Sequence, residues 1–148
     1  MINMSELVER LGLAAHPEGG WFRETWRSPV WVEPPGYSGP RRAATAIYFA
    51  LHPGESSRWH VVASDELWLW HHGGAVRLIL GGTGEQPDPT AELIIGADLA
   101  AGQVPQGLVP AGTWQSAEPV GAEPVLVSCV VAPGFEYEDF RLFSPEEP

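Results

Sequence analysis

An all-β fold of short strands, whether sandwich, jelly roll or barrel, is the architecture that three features of this chain predict. Glycine and proline, 17 and 15 of 148 residues, are spread along the whole length and break it about every eight to twelve residues. Between the breaks lie short runs rich in Val, Ile, Thr and aromatic side chains, the residues that fit a pleated surface. No crossover helices separate these runs, which excludes parallel βαβ arrangements. The length and the 44% hydrophobic composition suffice for one buried core, so a single domain over residues 1–148 is expected.

The elements follow in order. Ser5 reads as an N-cap for one or two amphipathic turns over Glu6–Leu11, and Gly12 as their stop. The aromatic run Trp21–Arg27, closed by Ser28-Pro29, is the first strand. Three prolines and two glycines between Glu33 and Pro40 make that stretch an irregular loop. Strands are then predicted at Ala43–Leu51, Ser57–Val62, Glu66–His72, Ala75–Leu80, Thr90–Ile95, Gln106–Val109, Trp114–Ala117, Val125–Val131 and Phe135–Leu142. Gly73-Gly74 reads as a tight hairpin turn between two of them.

Charge and cysteine content narrow the partners. A net charge of −11 with only eight Lys plus Arg opposes nucleic acid polymers and anionic membranes, whose binding rests on neutralising phosphate. The N-terminus has no basic segment followed by a long apolar one, and no apolar run approaches membrane-spanning length. Cys129, the single cysteine, sits in the apolar run Val125–Val131 and reads as a buried structural thiol. A cytoplasmic protein is expected.

The chemistry concentrates between Gly54 and Gly73. Gly54, five residues, His60, Val61, Val62, three residues, Glu66, six residues and Gly73 resemble the first cupin motif, with Val62 where a second histidine would stand. Pro110-Ala111-Gly112-Thr113-Trp114-Gln115 resembles the second motif, with Gln115 in the histidine position. Residues two apart on a strand share a face, so 60 and 62 look the same way, and a hairpin would bring 66 back beside them. A metal-binding cupin converges three imidazoles and a carboxylate here, a set suited to Zn, Fe, Mn or Ni. This chain keeps His60 and Glu66 and adds the amide of Gln115. Those three are weak metal candidates, any divalent metal would be held weakly, and a hydrogen-bonded cluster is the expected arrangement.

Six blocks in order, His16–Thr25, Thr45–Phe49, Ser57–His60, Ser64–Trp68, Val109–Gln115 and Val131–Phe140, resemble the DUF985, or cupin_5, group over nearly the whole chain. The resemblance implies an RmlC-like jelly roll, the double-stranded β-helix of cupins with a short N-terminal helix here, and a homodimer. Relatives often place a histidine where this chain has Leu69.

The predicted site is therefore a pocket for a small polar metabolite. His60 and Glu66 are the catalytic candidates, since a carboxylate between apolar neighbours needs a partner or a function. Arg23, Tyr48, Trp68 and Gln115 are the ligand-binding candidates, a cation, two stacking rings and an amide. His71 and His72 read as exposed loop-end residues, and the acidic block at 136–139 as charge protecting an edge strand. The leading functional expectation is an isomerase, epimerase or lyase acting on a sugar, sugar nucleotide or related metabolite, with His60 as base. A non-catalytic cupin that binds a nucleotide, nucleobase or sugar is the first alternative. A metal-dependent cupin oxygenase, opposed by Val62 and Gln115, is the second.

Overall fold

The computed structural model describes residues 3–144. Helix α1 (Met4–Leu11) opens the fold. Its cap is Asn3, whose side chain accepts from the Glu6 N–H at 2.9 Å, so Ser5 lies inside the first turn rather than before it. Gly12 ends the helix at φ 66°, a left-handed conformation that a Cβ would disfavour.

Thirteen strands follow among the described residues: β1 (Ala14–Ala15), β2 (Trp21–Arg27), β3 (Trp31–Val32), β4 (Arg41–Arg42), β5 (Thr45–Leu51), β6 (Ser57–Val62), β7 (Asp65–Gly73), β8 (Val76–Leu80), β9 (Ala91–Ile95), β10 (Gln106–Val109), β11 (Gln115–Pro119), β12 (Val125–Ala132) and β13 (Phe140–Leu142). Their pairings are antiparallel and build a six-stranded sheet, β1-β2-β5-β12-β7-β10, facing a five-stranded sheet, β13-β6-β11-β8-β9. Strands β3 and β4 form a separate ribbon. From β5 to β8 the chain changes sheet at every connection, which gives the jelly-roll sandwich the sequence predicts.

Two expectations need correcting on this point. Gly73-Gly74 does not close a hairpin: β7 and β8 belong to different sheets, and the glycines carry the chain across the sandwich edge. Likewise β6 and β7 do not pair, so Glu66 does not return beside His60 but faces it from the opposite sheet. The physical reason is shared: a hairpin reading assumes that consecutive strands hydrogen-bond, whereas a jelly roll alternates them between layers. The predicted strand Phe135–Leu142 also shrinks, because Tyr137–Asp139 form a 3₁₀ turn and only Phe140–Leu142 pairs with β6.

The interior is unequal along its length. At one end Phe49, Leu51, Trp68, Val76, Leu78, Ile95, Val109, Val125 and Val127 fill the space between the sheets. Each buried aliphatic side chain there contributes about 1.5–3 kcal/mol over its exposed state. Leu7, Leu13 and Ala50 form a second cluster under α1, on the outer face of the large sheet. At the other end the inner face turns polar and encloses a cavity. A segment leading into β13 covers that end. It is tied down by Arg41, which donates from Nε and Nη2 to Asp139 at 2.7 and 2.8 Å. Among the described residues no helix is long and apolar enough to cross a membrane.

Candidate functional site

The cavity, about 150 Å³, lies between β2, β5, β7 and β12 on one side and β6 and β13 on the other. Its interior residues follow from strand parity. On β2, Phe22 and Glu24 point inward; on β6, His60 and Val62; on β12, Cys129 and Val131; on β7, Glu66. A bulge in β2 between Glu24 and Trp26 then reverses the alternation, turning Trp26 outward to 48% exposure and Arg27 toward the mouth. Phe135, Glu136, Tyr137 and Phe140 supply the remaining wall.

Glu18 reaches the interior from the loop before β2. The loop can lie against β6 because Gly19 and Gly20 take φ values of 108° and 79°. A Cβ on Gly19 would stand 2.1 Å from the Ser56 carbonyl oxygen. The Glu18 carbonyl accepts from the Arg58 N–H at 2.7 Å, and its carboxylate meets His60 Nε2 at 2.7 Å. His60 Nδ1 lies 2.7 Å from the Arg58 carbonyl, an acceptor only, so this nitrogen carries a proton. Both ring nitrogens are therefore committed to protein partners. His16 Nδ1 accepts the Glu18 N–H at 3.0 Å, which places the proton of that neutral ring on Nε2.

The three acids and bases at the floor are held at different ionisations. Burial pushes the Glu18 carboxyl up, but the charge and hydrogen bond of His60, aided by His16, bring it below its ordinary value. Burial pushes His60 down, and Glu18 outweighs this and leaves the imidazole raised, so the two form an imidazolium–carboxylate pair. Burial drives Glu66 up, the neighbouring Glu18 adds to it, and His60, Gln115 and Cys129 oppose; the result is about 7. Burial, then Glu66, raises the Cys129 thiol, which is thus protonated and unreactive. The pair at 18 and 60 is charged at neutral pH, while Glu66 is poised to hold or release a proton.

Of the six predicted site residues, His60 and Glu66 line the cavity. Gln115 and Trp68 stand behind it: Gln115 Nε2 donates to Glu66 Oε1 at 2.7 Å, and Trp68 Nε1 donates to Gln115 Oε1 at 3.2 Å. They orient Glu66 and do not line the cavity. Arg23 and Tyr48 lie elsewhere, on the outer face of the large sheet. Their neighbours Phe22 and Phe49 point inward, so parity turns these two out; Arg23 donates to the Leu11 carbonyl at 2.6 Å and stacks on Tyr48 at 5.5 Å. Sequence reasoning passed over Glu18, His16, Glu24, Arg27 and Tyr137, and it read Glu136 as edge-strand charge, whereas this acid lines the cavity. The available signal was His16-Pro17-Glu18-Gly19-Gly20, where a buried acid follows a histidine by two and a glycine pair lets the loop fold inward.

Residues 5–143 match the family described as Cupin superfamily (DUF985). The chain belongs to this cupin family. It is 29% identical to YML079W, an uncharacterised protein of Saccharomyces cerevisiae, over 98% of this chain and 77% of that protein. A hypothetical protein from Leishmania major superposes with a TM-score of 0.87 at 31% identity, covering 97% of this chain and 88% of its own. A Shewanella oneidensis protein gives 0.85 at 35% identity, covering 97% and 86%. CapF of Staphylococcus aureus, at 15% identity and a TM-score of 0.65, shares the fold alone.

Some cupins hold a metal on three imidazoles and a carboxylate, and the residues of this cupin do not fit that set. Val62 offers a hydrocarbon, His60 has no free ring nitrogen, and Gln115 spends its amide on Glu66 and Trp68. Among the described residues no three or more His, Cys, Asp or Glu side chains are grouped as metal ligands are.

Proposed function

We propose that this cupin binds one small polar metabolite in the cavity and moves a proton on it, in the manner of an isomerase, epimerase or lyase, with Glu66 as the acid–base group. The observation that carries this reading is a cavity-lining carboxyl whose ionisation is lifted to about 7 by burial and by Glu18. A general base works best when its own ionisation lies near the working pH. In the proposed step the Glu66 carboxylate takes a proton from a carbon beside a carbonyl, the C–H electron pair moves to the carbonyl oxygen as an enolate, and Glu66 returns the proton. The Glu18–His60 pair is a fixed dipole of buried charges that keeps Glu66 from ionising too readily. Gln115, held by Trp68, fixes the orientation of the Glu66 carboxyl. His60 is a positioning residue in this scheme, since neither of its nitrogens is free to accept a proton.

The test is incubation of a metabolite extract in D₂O with the wild-type protein and with Glu66→Gln, read by mass spectrometry. A metabolite that gains deuterium or is consumed only with the wild type is the expected result. A metabolite that is retained by both proteins without exchange or conversion favours the second reading, a binding module. The satisfied hydrogen bonds of His60 and Gln115 speak for that alternative.

A further inference from the structure

The charges and rings around the cavity point to a class of ligand. Four carboxyl groups line it, Glu18 and Glu66 at the floor and Glu24 and Glu136 toward the mouth. Against them stand the His60 imidazolium and one guanidinium, Arg27. Arg27 is already answered: Nε and Nη2 donate to Glu24 at 3.1 and 3.0 Å, and Nη1 lies 3.7 Å from Glu136. An anion at the mouth would have to displace that two-bonded carboxylate and then meet three more acids. The His60 charge is likewise consumed by Glu18 at 2.7 Å. At the floor, Gln115 bonds one Glu66 oxygen, and the further donor to this carboxyl is the Cys129 thiol, which brings no charge.

A second, independent feature agrees. Phe135, Tyr137 and Phe140 form a cluster of three rings, with centroids 5.0, 6.0 and 6.0 Å apart and interplanar angles of 84°, 69° and 83°. Phe22 and His16 stand edge to face at 4.5 Å on another part of the lining. Aromatic faces attract cations through the ring quadrupole, and they do so best where water is excluded. Rings beside four acids answered by only two cations, Arg27 and His60, make an environment that favours an organic cation over a neutral or anionic molecule of the same shape. The volume of about 150 Å³ limits the buried part to about one six-membered ring with its substituents.

We infer that the cavity takes a small organic cation, an amine or amidinium on a single ring or a comparably compact skeleton, and that it rejects phosphorylated and carboxylated ligands. The inference rests on the proposal that this cavity is the metabolite site, and it replaces sugar nucleotides by a cationic substrate class. The aromatic cluster receives the cation's apolar surface, and the acids that line the cavity answer its charge.

The experiment uses three probes of one shape and three charges, benzamidinium, benzamide and benzoate, titrated into the intact protein at about pH 8, where Glu66 is ionised, by calorimetry and amide NMR. Benzamidinium is expected to bind about tenfold or more tighter than benzamide, with benzoate not binding, and shifts clustered on the cavity strands. Glu66→Gln should erase most of that preference, and Glu136→Gln, at the solvent-facing wall, should reduce it if the floor substitution disturbs the fold. Benzoate binding as tightly as benzamidinium overturns the inference. So does an absence of benzamidinium binding up to about 10 mM. Charge preference without deuterium exchange in any metabolite leaves the ligand class standing and removes the catalytic reading.

Discussion

Replacing Glu66 by glutamine turns the electrostatics of the cavity floor into a measurable change in stability. In the unfolded chain this carboxyl ionises near its ordinary 4.5, and in the fold near about 7. Between those values the native state holds one proton more than the unfolded state, so stability falls as pH rises, by about 1.4 kcal/mol per pH unit and ~3 kcal/mol in all. The contribution is fully present below about pH 4.5, is lost as pH rises through about 7, and is level above that. Glutamine at 66 is neutral throughout and keeps an oxygen for the Gln115 donor, so Glu66→Gln lacks this loss. Urea unfolding of both proteins at steps from about pH 4.5 to 8 gives the difference in stability directly, and the raised His60 and lowered Glu18 largely cancel between them. The variant is expected to gain on the wild type by ~3 kcal/mol across the window. A difference that stays level from acid to alkaline pH would show that Glu66 ionises as an ordinary surface carboxyl does and would remove the basis for its role.

Other substitutions follow from the same geometry. Gln115→Leu strips Glu66 of its donor and the Trp68 N–H of its acceptor; stability should fall by about 1–3 kcal/mol in urea, and the Glu66 carboxyl, followed by carbon NMR, should titrate higher still. Gly19→Ala forces a side chain into the Ser56 carbonyl at φ 108° and should cost at least about 2 kcal/mol, seen as a lowered urea midpoint and a disturbed His60 resonance. Trp26, Val30, Trp31 and Leu108 are between 46% and 59% exposed, apolar surface that two-fold pairing would cover, and light scattering at micromolar protein is expected to give a dimer mass; a monomer mass unchanged by concentration would count against it.

How much of this was legible in the chain can be judged residue by residue. The strand runs were readable because burial imposes a period of two: Val125, Val127, Cys129 and Val131 point inward where the alternation puts them. His60 and Glu66 were readable because a polar side chain among apolar strand neighbours demands a partner. What a linear reading lacks is the third dimension of pairing. It cannot tell whether β6 and β7 share a sheet or face one another, and so it brought Glu66 to His60 by the wrong route. Arg23 and Tyr48 failed for a simpler reason, since each is chemically apt for a pocket but lies at the outward parity. Glu18 was missed because loops have no period, and only the positive φ of Gly19 and Gly20 folds that acid beneath the sheet. Arg27 was missed because the bulge in β2 leaves no mark in hydropathy.

That bulge makes the mouth of the cavity sensitive to strand register as well as to residue identity. If Thr25 paired regularly with β5 instead of being left over, every later residue of β2 would move to the other face, swinging the Trp26 indole into the mouth and putting the Arg27 guanidinium in water, without altering either side chain. A cavity rimmed by an acid-bound cation would become one rimmed by a flat apolar ring, and Glu24 and Glu136 would lose the counter-charge they share. A bulge lost or gained at this point of the strand is thus a route by which an otherwise unchanged sandwich acquires a different ligand preference. Two chains that align perfectly in every neighbouring position can present opposite chemistry at the same opening.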